Sequence, residues 1–336
     1  MRKDTRIAFN AYLGQMAKIN GVAEAVHKFS VEPTVQQSLE TAIQESTDLL
    51  TKINIMGVTE QSGQALLLGV NGPIASRTNT AVGNRRNPGD RSSLGKDEYT
   101  CKKTDFDSAF PYQLLDQWAK FPDFQPRLSG AIAKRQGLDR IMIGFNGVSA
   151  AAETDIDANP LGEDVNIGWL QKVRVGAPDR VMDEVVVDSE EVTIGATGDY
   201  KSLDALVYDA VQMLDPWHRN HPDLIVMVSR NLLHGKLLKA VERGAASNQE
   251  ELAADEIISN ARLGGLRPYD APYFPDNTVL VTTLSNLSIY WQEGARRRHI
   301  KEEPEYDRIA DYQSSNDAYV IEDFGLVALV ENIAEV

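Results

Sequence analysis

Asn71–Cys101 reads NGPIASRTNTAVGNRRNPGDRSSLGKDEYTC. These roughly thirty residues are rich in Gly, Asn, Ser and Arg, and uninterrupted loops beyond about 12–15 residues are uncommon inside compact domains. The segment must therefore be a phosphate grip, a disordered linker, or an arm that needs another molecule. Its flanks decide among these. QALLLGV before it and EYTCKKTDF at its end both read as strands, which favours a hairpin over a free linker. Legs of about fifteen residues at ~3.3 Å each would reach ~50 Å. A compact chain of this length has a radius of gyration near ~20 Å. A lone two-stranded ribbon is marginal in water, so an ordered arm implies a partner surface, and a closed symmetric assembly supplies one repeatedly.

The 336 residues are 42% hydrophobic, enough for a real core and for more than one compact unit. No apolar run approaches the ~20 residues of a membrane span, and the N-terminus lacks a signal-type apolar stretch. A single cysteine, Cys101, excludes an intramolecular disulfide and every multi-cysteine metal site, so a cytoplasmic origin is the default. The net charge of −15 is unevenly spread. Residues 1–29 carry +3 and the arm +2, leaving −20 on the rest. Two basic appendages on an acidic body suit docking on other copies, or are solvated surface charge. A general nucleic-acid binder needs far more Lys and Arg.

Residues 5–20 are predicted as an amphipathic helix, with Phe9, Tyr12, Leu13, Met16 and Ile19 at helical spacing. KFSVEPTV is an extended boundary around Pro33. Helix resumes through Val35, Leu39 and Ile43, and the strand INIMGVTE follows. YTCKKTDFDSAF is strand-like, and Pro111 suits the first position of the helix after it. A long helix runs from Pro126 to Phe145, with Leu128, Ala131, Ile132, Arg135, Leu138, Asp139 and Met142 on a partly apolar face. DEVVVDSEEVTIG alternates as a strand pair or hairpin. GDYKSLDALVYDAVQML is a helix, DLIVMVS a buried strand, and RNLLHGKLLKAVE and ELAADEIISNARLG are helices. NTVLVTTLSNLSIYW and AYVIEDFGLVALVENI each give two strands. The class is α+β, without the regular alternation of a doubly wound sheet.

Chemical motifs each fail at a necessary position. GATGDYKS (Gly195–Ser202) has Tyr200 where a phosphate loop needs Gly before its Lys, so a turn with Ser202 or Asp199 capping the next helix is expected. DIDANPLGEDVN (Asp155–Asn166) has Pro160 and Asn166 where a calcium loop needs Gly and Glu. GVSAA (Gly147–Ala151) lacks the second Gly of a nucleophile elbow. His218 and His221 are three apart, and Asp215 or Asp223 could add a ligand, but polar loop residues are the expected reading. Cys101 reads as a small buried residue, and RRRH before KEEPE as a local ion-pair face. No catalytic residue, cofactor or metal follows. Two rival readings of the arm are the lid of an oligomeric enzyme and an arginine-bearing nucleic-acid binder.

Longer runs carry a resemblance. KFSVEP, QESTDLLTKINI, DFQPRLSGAIAKRQGLDRIMIGFNG, NPLGEDVNIGWLQKVR, GDYKSLDALVYDAV, LAADEIIS, APYFPDNTVLVTTLSNLSIYW and RIADYQSSNDAYVIEDFG span nearly the whole chain. They resemble the major capsid proteins of peduovirus-type, contractile-tailed temperate bacteriophages, a family similar in fold to the Hong Kong 97 type of capsid subunit. The resemblance implies a non-enzymatic virion protein that self-assembles into hexamers and pentamers of an icosahedral head around double-stranded DNA. It implies a basic helix at 1–29, removed on maturation, an N-arm at 30–56 and an extended hairpin loop at 57–108. A peripheral domain with a spine helix would take 109–197 and 301–336, and an axial domain 198–300. The cut is expected near Phe29–Ser30. Arg77, Arg85, Arg86 and Arg91 are expected to pair with acidic residues of adjacent subunits. Implied partners are other copies, an internal scaffold and maturation protease, the portal protein, and packaged DNA on the inner face, with no membrane. Assembly would take place in the bacterial cytoplasm.

Overall fold

The structure is a computed structural model that describes residues 1–70, 75, 77, 85, 92–118, 124–233 and 262–336. Helix α1 spans Lys3–Ile19. Strand β1 (Phe29–Ser30) leads into α2 (Pro33–Glu45) and α3 (Asp48–Lys52). Pro33 opens α2, where its missing N–H costs nothing. Strands β2 (Asn54–Val58), β3 (Ser62–Val70), β4 (Ser92–Thr100), β5 (Lys102–Asp105) and β6 (Ser108–Pro111) follow. Next come α4 (Tyr112–Trp118), α5 (Phe124–Asn146) and α6 (Trp169–Gly176). Strands β7 (Val181–Met182) and β8 (Val192–Ile194) precede α7 (Leu203–Gln212). The remaining strands are β9 (Ile225–Val228), β10 (Arg267–Tyr269), β11 (Val279–Thr282), β12 (Leu287–Gln292), β13 (Arg297–Glu303), β14 (Arg308–Ile321), β15 (Ala328–Val330) and β16 (Ile333–Glu335).

Two sheets organise the chain. The larger has the order β1-β13-β14-β12-β2, with β5 and β6 also paired to β14; the smaller runs β10-β9-β11-β15-β7. Strand β14 is the axis of the larger sheet. Most of its fourteen residues are buried, polar ones included, so no inside–outside alternation marks it in the sequence. One core gathers Ile43, Leu50, Ile141, Phe145, Trp169 and Tyr319 between α2, α5, α6 and the larger sheet. A second gathers Leu206, Val207, Ala210, Val226, Val279 and Val330 around α7 and the smaller sheet. The sheets share strands across the boundaries expected at 197/198 and 300/301. Strand β12 joins β14 in the larger sheet, and β7 and β15 join β9 and β11 in the smaller one.

Four expectations need correction or bounds. Pro111 closes β6, paired with Arg308, and the helix begins one residue later. The DEVVVDSEEVTIG stretch is no hairpin: β7 pairs with β15 and β8 with β16, while Val185, Val186 and Val187 stand exposed between them. Helix α5 has the expected extent but buries a different face. Ala131 and Arg135 are exposed, and the buried stripe is Ala133, Gln136, Gly137, Arg140, Ile141 and Gly144. Gly137 and Gly144 allow close approach there, since a Cβ would lie 2.6 Å from Ser46 Oγ and 2.4 Å from the Trp169 ring. The two helices expected after DLIVMVS lie almost entirely outside the described residues.

Candidate functional site

The arm is a ribbon of its own. Strands β3 and β4 pair antiparallel through nine rungs, from Ser62↔Thr100 to Val70↔Ser92. The nine described rungs span about 30 Å; they begin before Asn71, and apart from 75, 77 and 85 the residues between 70 and 92 lie outside the described residues. At the base, Tyr99 meets Tyr290 edge-on at 5.1 Å, and Cys101, Ala318, Val320 and Val58 complete a small apolar cluster. Gly63 sits opposite Tyr99. A Cβ there would lie 2.8 Å from the Tyr99 hydroxyl, so glycine lets the ring cover its partner strand. Cys101 is fully buried, and burial, with Asp317 nearby, pushes its thiol up to about 12. Arg77 and Arg85 are exposed; Arg86 and Arg91 lie outside the described residues.

The junction forms an edge strand. Phe29 pairs with Arg298 and Ser30 with Arg297, and the Val31 N–H donates to the Arg296 carbonyl at 3.0 Å. Phe29 is buried and Ser30 exposed. The sheet ends at β1, so its outer edge can accept another strand. The helix before it is docked on its own chain. Phe9, Tyr12 and Leu13 pack on Leu115, Ile300 and Ile309. Arg6 holds Glu302, which also accepts the Tyr112 hydroxyl at 2.8 Å; the hydrogen bond from Arg6 keeps the Glu302 carboxyl below its usual range.

A buried ionic network ties these parts to α5. Arg140 donates to Asp317 at 3.0 Å through Nε and also grips Glu40. Arg296 donates to Glu40 at 2.7 Å and to Gln136 at 2.7 Å. Gln136 donates to Gln313 at 3.1 Å, Gln313 to Asp311 at 2.9 Å, and Arg298 bridges Asp311 at 2.6 Å to the Tyr12 hydroxyl at 2.8 Å. Arg140 and Arg296 side chains are 1% exposed and Glu40 5%. Burial works to raise the Glu40 pKa, but the two guanidiniums outweigh it and hold the carboxyl below its ordinary value. Three arginines face three carboxylates, so the charges balance within the fold. The network is invisible in sequence because RRRH looks like a local ion-pair face, while Arg296 reaches Glu40 and Gln136 far along the chain. One usable signal was present: Gln136 and Arg140, four apart, share a stripe with Gly137 and Gly144.

The motif-like loops serve the fold. Asp199 accepts from the Thr193 N–H at 3.0 Å, and Ser202 caps α7 by accepting from the Ala205 N–H. In the acidic loop, Asp155 accepts from the Asp157 N–H at 3.0 Å, and buried Asn166 donates to the Asp317 carbonyl at 2.9 Å. His218 lies 2.9 Å from Asp323. Among the described residues, no cluster of His, Cys, Asp or Glu is placed to hold a metal ion.

A family model described as phage major capsid protein, P2 family, matches residues 8–333. The chain is 47% identical to the capsid proteins of Escherichia phage P2 across a 341-residue alignment covering 99% of this chain and 95% of that one. It is 45% identical to the major capsid protein of Serratia phage KSP20, covering 99% and 97%. Among solved structures it matches a chain of the satellite phage P4 procapsid that includes the size determination protein. There the TM-score is 0.82 at 44% identity, covering 100% of this chain and 99% of that one. A chain from the capsid of an empty GTA particle matches with TM-score 0.52 at 17% identity over 86% and 90%, a likeness of fold alone.

Proposed function

The chain belongs to the P2 family of phage major capsid proteins, and from that premise we propose how its parts are used in the shell. It is a structural protein of the virion and not an enzyme, with the Hong Kong 97 type of fold. The relatives are capsid proteins, which leaves the enzyme-lid and nucleic-acid-arm readings without support. Copies assemble into hexamers and pentamers of an icosahedral head around double-stranded DNA, in the host cytoplasm, with an internal scaffold, a maturation protease and a portal protein as partners. Residues 57–108 are the extended loop. Its β3–β4 stem pairs with neither sheet and is anchored on the larger one at its base through Tyr99, and Arg77 and Arg85 near its tip are exposed. Such a ribbon is marginal alone, and −20 of charge outside the two basic segments offers it carboxylates on neighbouring copies. Arg86 and Arg91 are assigned the same role.

The two-stranded stem, paired with neither sheet, is the observation that carries this reading. Deleting Thr78–Leu94 should leave a folded subunit that makes no shells in negative-stain micrographs; normal shells from that deletion refute the arm's role. The protease cuts near Phe29–Ser30, in keeping with the accessible edge of β1, and releases the helix docked there. Mass spectrometry of mature particles tests this: a major-capsid chain still beginning at Met1 refutes it.

A further inference from the structure

Along β13, a groove of about 420 Å³ is lined by Lys28, Lys103, Arg297, Arg298 and Lys301 against Asp105 and Asp107. Some of these cations are already held: Arg298 by Asp311, Lys103 by Asp105 at 2.7 Å, and Lys301 loosely by Glu303 at 3.7 Å. Lys28 and Arg297 are exposed and, among the described residues, make no ion pair. This is a locally basic surface on a chain of net charge −15.

A contrasting surface follows β7, at the edge of the smaller sheet. Val185, Val186 and Val187 are 44%, 60% and 79% exposed. Asp183, Glu184, Asp188, Glu190 and Glu191 flank them. The loop holds its shape through the Ser189 N–H, which donates to the Val186 carbonyl at 3.0 Å. Three consecutive exposed valines in a self-assembling chain ask for a cover.

We propose that the 183–191 loop of one copy docks on the β13 groove of a second copy. Copies carrying −15 each repel as they approach, so a shell forms only where local charge is complementary. The groove and the loop have opposite charge, and the valines would lose their water in the same contact. The two patches lie on different sheets and are unlike each other. Their contact is therefore head-to-tail, the kind that generates rings when the rotation closes. The proposal rests on the reading of this chain as a shell subunit, and it concerns residues outside the arm.

The test is a charge exchange in the full chain, co-expressed with the scaffold it assembles on. Arg297→Glu with Lys301→Glu, and separately Asp183→Lys with Glu191→Lys, should each cut shell yield roughly tenfold. All four together should restore it to within about twofold. These side chains are exposed, so melting temperatures should match the wild type. A neutral variant, Val186→Ser with Val187→Ser, should also lower the yield without lowering the melting temperature. Wild-type shells in the same assay carry the reading of assembly, and the variants carry the pairing. Wild-type yield from either reversed pair overturns the proposal. So does a fourfold variant no better than its parents, or normal shells from Arg297→Glu/Lys301→Glu that merely retain less DNA.

Discussion

Glu40→Gln puts the buried ionic network to its sharpest test. The Glu40 carboxylate receives N–H groups from both Arg140 and Arg296, at 3.2 Å and 2.7 Å for its Oε1. Both guanidiniums are 1% exposed, so neither can turn to water. Replacing the carboxylate by an amide leaves two buried cations with Asp317 as the remaining close carboxylate, and points an NH₂ at a guanidinium. Removing one partner of a buried ion pair costs about 3–5 kcal/mol. Against a typical total of about 5–15 kcal/mol this is a large fraction. At roughly 2 °C per kcal/mol for a chain of this size, it lowers the melting temperature by about 6–10 °C. Urea unfolding of the purified subunit should show a lower midpoint with an unchanged slope. Lys52→Ala, which breaks the exposed Lys52–Asp48 pair, should produce no measurable change. A Glu40→Gln loss below about 1 kcal/mol would show that the network is held by packing rather than by charge.

Three further outcomes follow from the same geometry. Because Glu40 is held below its ordinary value of 4.5, its contribution is present above that value and lost as pH falls through the folded-state pKa; urea midpoints between pH 7 and 3 should fall more steeply for the wild type than for Glu40→Gln. Cys101, buried with its thiol raised to about 12, should resist thiol reagents at pH 8 in the native protein and react fully in urea; native labelling at the denatured rate would mean that the arm's base is open. Gly144→Ala sets a helix-propensity gain of about 1 kcal/mol against a Cβ placed 2.4 Å from the Trp169 ring. The clash should win, costing about 1–3 kcal/mol and shifting tryptophan fluorescence, whereas stabilisation would contradict the packing of α5 on α6.

What was legible in the sequence was mostly local. The extents of α1 and α5, the Ser202 cap and the strands flanking the arm all follow from spacing and from residues adjacent in the chain. The buried face of α5 was not legible, because Gln136 and Arg140 look solvent-facing until their partners are known. Those partners, Glu40, Asp317 and Gln313, are 100 to 177 residues away. Arg296 was misread for the same reason: its partner Glu40 is 256 positions distant. Val185–Val187 imitate a strand, but the short flanking strands leave for different sheets. The arm was legible as a ribbon but not as a complete structure, since its tip arginines are assigned to a surface that one copy does not contain.

The central claim is that the arm is completed by a neighbouring copy, and a cryo-electron microscopy reconstruction of shells assembled from the full chain tests it most directly. The β3–β4 ribbon should lie across an adjacent subunit, with Arg77 and Arg85 within about 4 Å of that subunit's carboxylates. A ribbon folded onto its own body, or pointing into solvent with both arginines unpaired, would contradict it.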